Sequence, residues 1–219
     1  GGVAIMVPLL LATFVVSIWN CAAAVQGRVG GVRLKIKGAR DAAFLTGYFH
    51  VNNSVTSRER LNEPLWSWME DTLGRCPGRC VPFIMGDFNG HIGKTTYGGE
   101  VVMAEEDSPV LRRYGAELEN ENGADMREFC EVHEMTVCNT MTRNGSGPTY
   151  FKHADGEFRS SRVDFILAPQ IILGMLKKVT VDYGAGLVLQ GGSPSTYLKD
   201  HVPLQVDFQW PMTPPKEEV

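Results

Sequence analysis

The first 27 residues of this 219-residue chain contain no charged side chain; Arg28 is the first base and Asp41 the first acid. Absence of charge over so long a stretch raises the question of a membrane span or leader. Yet the stretch opens on Gly-Gly, has no basic flank and is interrupted by Pro8, so it reads instead as two buried strands, Val3–Val7 and a longer second piece. Membrane association is not expected. Basic excess is also missing: 21 Lys and Arg stand against 25 Asp and Glu, net −4, and no global field marks a polyanion-binding surface. Local clusters remain, Arg28, Arg33, Lys35, Lys37 and Arg40, then Lys152, Arg159 and Arg162. Cysteine is sparse and odd in number, five at 21, 76, 80, 130 and 138, which excludes a disulfide framework. Cys76-Pro-Gly-Arg-Cys80 resembles half a zinc site, but no second Cys/His pair matches it. Reduced thiols in an intracellular protein are the simpler reading. Internal repeats and low-complexity linkers are absent, and the length suits one large domain.

What is present is a series of apolar runs that stop on polar residues. Val81–Met85 ends at Gly86-Asp87-Phe88-Asn89; Asp164 heads Asp164-Phe165-Ile166-Leu167; Asp200-His201 precedes Val202-Pro203-Leu204. Alternation along a strand puts Asp87 and Asn89 on one side, an arrangement suited to a carboxylate that takes a proton from water beside an amide that holds an oxygen. Each residue also has a structural reading: Asp and Asn close turns, Asp164 can cap a strand, and His201 can be a satisfied core histidine.

Strands are expected at Gly31–Ile36, Ala43–Phe49, Val81–Met85, Met135–Cys138, Val179–Val181 and Val202–Phe208. Leu61, Leu65, Trp68, Met69 and Leu73 make one stripe of a helix over 57–73. A second helix, Ala124–His133, turns Met126, Phe129 and Cys130 inward, and a short one covers Ile171–Leu176. His91–Asp107 reads as a loop. Thr149–His153 and Arg162–Leu167 flank a hairpin turn at Ala154–Glu157. The tail 211–219 is expected to be disordered. Strands outnumber helices, which fits an α/β fold: a layered sandwich of two mixed sheets packed face to face with outer helices.

The order Gly86-Asp87-Phe88-Asn89, Arg162-Val163-Asp164-Phe165-Ile166-Leu167 and Asp200-His201-Val202-Pro203-Leu204 resembles the endonuclease/exonuclease/phosphatase superfamily, the deoxyribonuclease I-like proteins. The segments Asn120-Glu121-Asn122-Gly123, Val137-Cys138-Asn139-Thr140 and Gly147-Pro148-Thr149-Tyr150 are similar to the endonuclease domain of LINE-type (non-LTR) retrotransposons. The resemblance spans 1 to about 208 and implies metal-dependent phosphodiester hydrolysis, here nicking of DNA, with Mg²⁺ (or Mn²⁺) as cofactor, nucleic acid as partner and nuclear action. By the same resemblance Asp87 aligns or deprotonates the attacking water and Asn89 holds that water or the phosphate. His201 stabilises charge on the phosphate, Asp164 orients His201 and Asp200 binds the metal. Tyr48 contacts phosphate, Asn139 and Asn52 lie near the substrate, and Tyr150 is a candidate to stack on a base, with cross-strand packing as its other reading. Lys199 replaces the family's usual Ser before Asp-His, and Tyr48-Phe49-His50-Val51 departs from its Tyr-x-Pro-Asn segment. Relatives carry two earlier strands, the second ending in the metal-binding Glu, and no counterpart is found here. The expectation is a truncated domain, with an inactive copy and a phosphatase of small phosphate esters as alternatives.

Overall fold

The backbone follows the hydrophobic pattern wherever a run of apolar residues has a sheet neighbour on each side. A computed structural model describes residues 2–20, 25–51, 59–97, 100–103, 108–112, 114–154, 157–189, 198 and 200–210. Asn52, Lys199 and the tail 211–219 lie outside the described residues. The chain divides into two units, 1–86 with 209–219, and 87–208.

The first unit begins with α1 (Leu9–Ala12) and β1 (Val15–Asn20), followed by β2 (Val29–Leu34), β3 (Asp41–Tyr48), α2 (Glu59–Gly74) and β4 (Cys80–Asp87). Strands lie in the order β1-β2-β3-β4. β1 and β2 run antiparallel with Ile18 opposite Val32; β2 and β3 do so with Val32 opposite Phe44. Leu45 is fully buried, as are Ala43 and Met69, whereas Ile18 stays 68% exposed. Only one of the two strands expected at the N-terminus forms. Residues 3–7 make no strand, and α1 follows Pro8, with Leu9 and Leu10 each 88% exposed. Proline fixes the turn into that short helix. Among the described residues, no helix is long and apolar enough to cross a membrane.

Helix α2 buries Leu65, Trp68 and Met69 as the stripe requires, but Leu61 is half exposed and Asn62 buried in its place. The Asn62 amide explains the rotation: Oδ1 accepts the His50 N–H at 2.9 Å and Nδ2 donates to the His50 carbonyl at 3.3 Å. At the end of β4, Gly86 has φ +151 and lies against the Gly47 carbonyl, where any Cβ would collide. Glycine is therefore obligatory immediately before Asp87.

The second unit contains β5 (Gly93–Tyr97), β6 (Glu100–Met103), β7 (Glu117–Leu118), α3 (Glu121–Val132), β8 (Met135–Val137), β9 (Tyr150–Ala154), β10 (Glu157–Ser161), β11 (Asp164–Pro169), β12 (Leu176–Val181), α4 (Tyr183–Leu189), β13 (Asp200–His201) and β14 (Leu204–Phe208). β5 and β6 occupy part of the expected loop 91–107 and pair antiparallel, while β7 pairs with β5 in parallel. The expected hairpin forms between β9 and β10, with Lys152 opposite Arg159. Its return strand is 157–161, a polar and mostly exposed segment without the apolar signal that drew the expectation to β11. β11 pairs instead with β8, and β13 lies on the free side of β9.

Helix α3 starts three residues earlier than expected. Asn120 is its N-cap, its side chain accepting the Gly123 N–H at 2.9 Å, which satisfies an orphan donor of the first turn. Met126, Phe129 and Cys130 are buried as the spacing predicts. Phe88 and Phe165, both fully buried, meet edge to face at 6.2 Å and centre the core beneath the site described next.

Candidate active site

Asp87 is followed by Phe88, whose ring is locked in the core and whose N–H donates to the Val163 carbonyl at 2.9 Å. The chain then turns at Asn89, φ 48, and the Asn89 N–H closes on Asp87 Oδ1 at 2.9 Å. Asn tolerates this left-handed backbone better than most residues. Two asparagines of the α3 N-terminus hold the turn from behind. Asn122 Nδ2 donates to the carbonyls of Phe88 (3.0 Å) and Asn89 (3.2 Å), and Asn120 Nδ2 donates to Asn89 O at 3.1 Å while its Oδ1 takes the His91 N–H at 2.9 Å.

Asp164 is fixed in the same manner. Thr149, with no exposed surface, accepts the N–H groups of Val163 (3.2 Å) and Asp164 (3.1 Å) on Oγ1. Asn139, equally buried, donates to the Asp164 carbonyl at 2.8 Å and accepts the Ile166 N–H at 3.2 Å. The Thr149 carbonyl also accepts the Val202 N–H at 2.8 Å. One threonine thus ties the strand bearing Asp164 to the residue after His201.

His201 stands opposite Tyr150 across the β13–β9 pair, ring centroids 4.9 Å apart. Its Nδ1–H donates to Asp164 Oδ2 at 2.8 Å, and Nε2 lies 3.6 Å from Asp87 Oδ2. The hydrogen bond to Asp164 raises the His201 pKa above the ordinary imidazole value; burial opposes it, and the charges of Asp164, Asp87 and Asp200 add to it. Burial, with the charge of Asp164, pushes Asp87 up to about 6, against the Asn89 N–H and His201. A carboxyl tuned close to neutral beside an oriented imidazole is a proton-transfer arrangement.

Asp87, Asp164 and His201 each present one ligand atom within 4.8 Å of the others, the one such group of three or more His, Cys, Asp or Glu side chains among the described residues. The two carboxylates suit a hard divalent cation such as Mg²⁺ or Mn²⁺, which takes oxygen ligands. Burial first and the charge of Asp164 second raise the Asp87 carboxyl, and a cation would offset both.

The structure therefore brings together Asp87, Asn89, Asp164, His201 and Tyr150. Asp200 adjoins them in sequence, yet its side chain is 76% exposed; it lies outside the three-donor group, and Oδ1 accepts the His201 N–H at 3.0 Å. Asn139 reaches no solvent and acts on the β11 backbone. Tyr48 lies in the first unit, its ring 4.8 Å beneath the Arg28 guanidinium, whose Nη1 donates to the Tyr48 carbonyl at 2.9 Å. Sequence reasoning missed the supports Asn120, Asn122 and Thr149. They stood inside segments noticed for resemblance, and nothing in spacing distinguishes a buried amide that binds backbone from an exposed one.

The chain matches no protein-family model. Over 91 residues, 41% of this chain, it is 29% identical to craniofacial development protein 2 of Tragulus javanicus and to that of Bos taurus; the match spans 14% of each relative. Solved structures with the same fold include the endonuclease domain of TRAS1, a telomere-specific non-LTR retrotransposon (TM-score 0.56, 14% identity, 88% of this chain and 68% of that one). A 3′ phosphatase, NExo, from Neisseria bound to a product DNA hairpin superposes at TM-score 0.58, with 16% identity over 90% and 72% of the chains. An AP endonuclease from Archaeoglobus fulgidus gives 0.51, with 16% identity over 89% and 70%. The architecture expected from the sequence is the one found: the mixed α/β, deoxyribonuclease I-like fold of endonuclease/exonuclease/phosphatase proteins.

Proposed function

We propose that residues 1 to about 210 belong to the catalytic domain of a divalent-metal-dependent phosphodiesterase that nicks DNA for a retrotransposon-type protein. The observation that carries this reading is the convergence of Asp87, Asp164 and His201 within 4.8 Å. Fold likeness to the TRAS1 endonuclease domain supports the choice of DNA.

In this reading Asp87 accepts a proton from the attacking water, and its pKa of about 6 leaves it ionised at neutral pH yet basic enough to take the proton. Asn89 orients that water or a phosphate oxygen. His201, held by Asp164 through Nδ1, directs Nε2 at the phosphate and stabilises the charge that builds on it. A divalent cation would be held by the Asp87 and Asp164 carboxylates and would supply further neutralisation of the phosphate oxygens. Tyr150 packs beside His201 and flanks the substrate on the β9 side.

Supercoiled plasmid with Mg²⁺ or Mn²⁺ tests the reading. Nicking by the chain, lost with chelator and in Asp87→Ala, is the expected result; nicking that survives either treatment, or a wild-type chain that cuts no nucleic acid, would overturn it. A second reading, removal of a terminal phosphate, is favoured by the likeness to the Neisseria 3′ phosphatase. A hairpin DNA bearing a 3′ phosphate separates the two: release of inorganic phosphate without nicking of plasmid selects it.

A further inference from the structure

A second group of titratable side chains lies entirely within the first unit, where α2 gives way to β4. The Cys76 N–H donates to the Leu73 carbonyl at 3.0 Å and the Cys80 N–H to the Pro77 carbonyl at 2.7 Å. These bonds fold Pro77-Gly78-Arg79 into a tight turn with one cysteine on each side of it, and the two thiols lie near enough for each to act on the other's acidity. Arg79 anchors the turn: Nη2 donates to the Ala39 carbonyl at 2.9 Å, and Nε lies 3.2 Å from the fully buried Asp41 carboxylate, which also binds Arg33. The two thiols differ in access, Cys76 half-buried and Cys80 8% exposed.

They differ in acidity as well. The hydrogen bond from Cys80 lowers the Cys76 pKa, burial opposes it, and Arg33 and Arg75 assist. The same bond, with burial and the charge of Asp41, pushes Cys80 well above the usual thiol range, against Arg33. A half-buried thiol of lowered pKa, beside a second thiol held in the protein, is the setting in which a cysteine oxidises and is then resolved. A metal does not account for the pair, since among the described residues no third donor joins them.

We propose that Cys76 and Cys80 are a redox pair, Cys76 the thiol that reacts with a peroxide and Cys80 the one that closes the disulfide. The Cys76 thiolate sulfur attacks a peroxide oxygen, the O–O bond breaks, and hydroxide leaves to take up the proton lost from Cys76. The resulting sulfenic acid is attacked by the Cys80 sulfur; the S–O bond breaks, and the departing hydroxide leaves as water with the Cys80 proton. Two thiols and one peroxide become one disulfide and two waters, the two electrons passing from sulfur to oxygen. Thiol reductant reverses the bond by exchange.

Peptide mapping of the native chain after hydrogen peroxide tests this without reference to cleavage activity. Trypsin cuts after Arg75, Arg79 and Lys94, so the reduced pair yields separate peptides, Cys76–Arg79 and Cys80–Lys94, and the disulfide joins them. The joined species should dominate, maleimide labelling of Cys76 should fall by about tenfold, and dithiothreitol should restore it. Cys130 and Cys138, buried and with their thiols pushed up, the latter to about 12, should stay unlabelled until the chain unfolds. In Cys80→Ser a dimedone adduct should build up on Cys76, and Cys76→Ser should leave Cys80 unoxidised. Recovery of both cysteines unjoined while free cysteine in the same tube is oxidised, or sulfinic acid on Cys76 with Cys80 free in the wild-type chain, would overturn the proposal.

Discussion

Two clusters of reactive groups, one in each unit, solve the same electrostatic problem with different degrees of rigidity. At the carboxylate cluster burial raises the Asp87 pKa to about 6, while the hydrogen bond to Asp164 favours the charged form of His201. At the thiol cluster burial and the neighbouring Cys76 raise the Cys80 pKa, while Cys80 with Arg33 and Arg75 lowers that of Cys76. The supports differ. Asp87 and Asp164 are pinned by Asn122, Asn139 and Thr149, buried side chains whose polar atoms are bonded to backbone. The thiols rest on one short turn, with Arg79 38% exposed at its tip. Hydrolysis at phosphorus needs atoms that stay where they are through the reaction. Disulfide closure needs two sulfurs that can move from hydrogen-bond to covalent distance. Rigidity is placed where the chemistry needs it.

The largest expected effect breaks the carboxylate cluster outright. Asp87→Ala or His201→Ala should lower plasmid nicking by about 10³-fold. Asp200→Ala should cost no more than about fivefold, because its carboxylate stands in solvent. Equal losses at positions 164 and 200, read from initial rates of nicking, would show the grouping to be wrong. The next effect removes a support and leaves the reactive atoms in place. Thr149→Val keeps the shape but strands two buried N–H groups, at about 1–3 kcal/mol each, and unties Asp164 from the residue beside His201. Urea denaturation should show that loss, with kcat falling and KM little changed, and Thr149→Ser should recover most of both.

The two clusters also differ in how legible they were. Cys76 and Cys80 lie four residues apart, so spacing alone set them together, although without a second Cys/His pair they read as reduced thiols. Asp87, Asp164 and His201 are separated by long stretches of chain, and only their place at the ends of apolar runs, read against a family order, grouped them. The apolar runs themselves were easy to read: the buried residues of β3, β4 and β11 and the α3 face Met126, Phe129 and Cys130 carry their pattern in sequence. Errors fell where polar residues do structural work. Asn62 displaced Leu61 in α2, Asn120 moved the start of α3, and the exposed strand 157–161 had too little apolar content to be seen.

The smallest effect asks what the tuned carboxyl costs the fold. Asp87 titrates near 6 in the folded chain against an ordinary value of 3.8, so folding favours its protonated form. Its contribution to stability is complete below about pH 4 and is lost as pH rises through about 6. Asp87→Asn keeps an oxygen for the Asn89 N–H and removes the charge. In chelator the variant should match wild type near pH 4 and exceed it by about 1–2 kcal/mol at pH 7.5, within the ceiling of about 3 kcal/mol that the shift allows. His201 moves this little, because its first support is Asp164. Thermal melts at the two pH values read the difference directly. A variant less stable than wild type at pH 7.5 would mean that Asp87 is held as a favourable ion, and that the carboxylate cluster is a structural salt bridge instead of a strained catalytic pair.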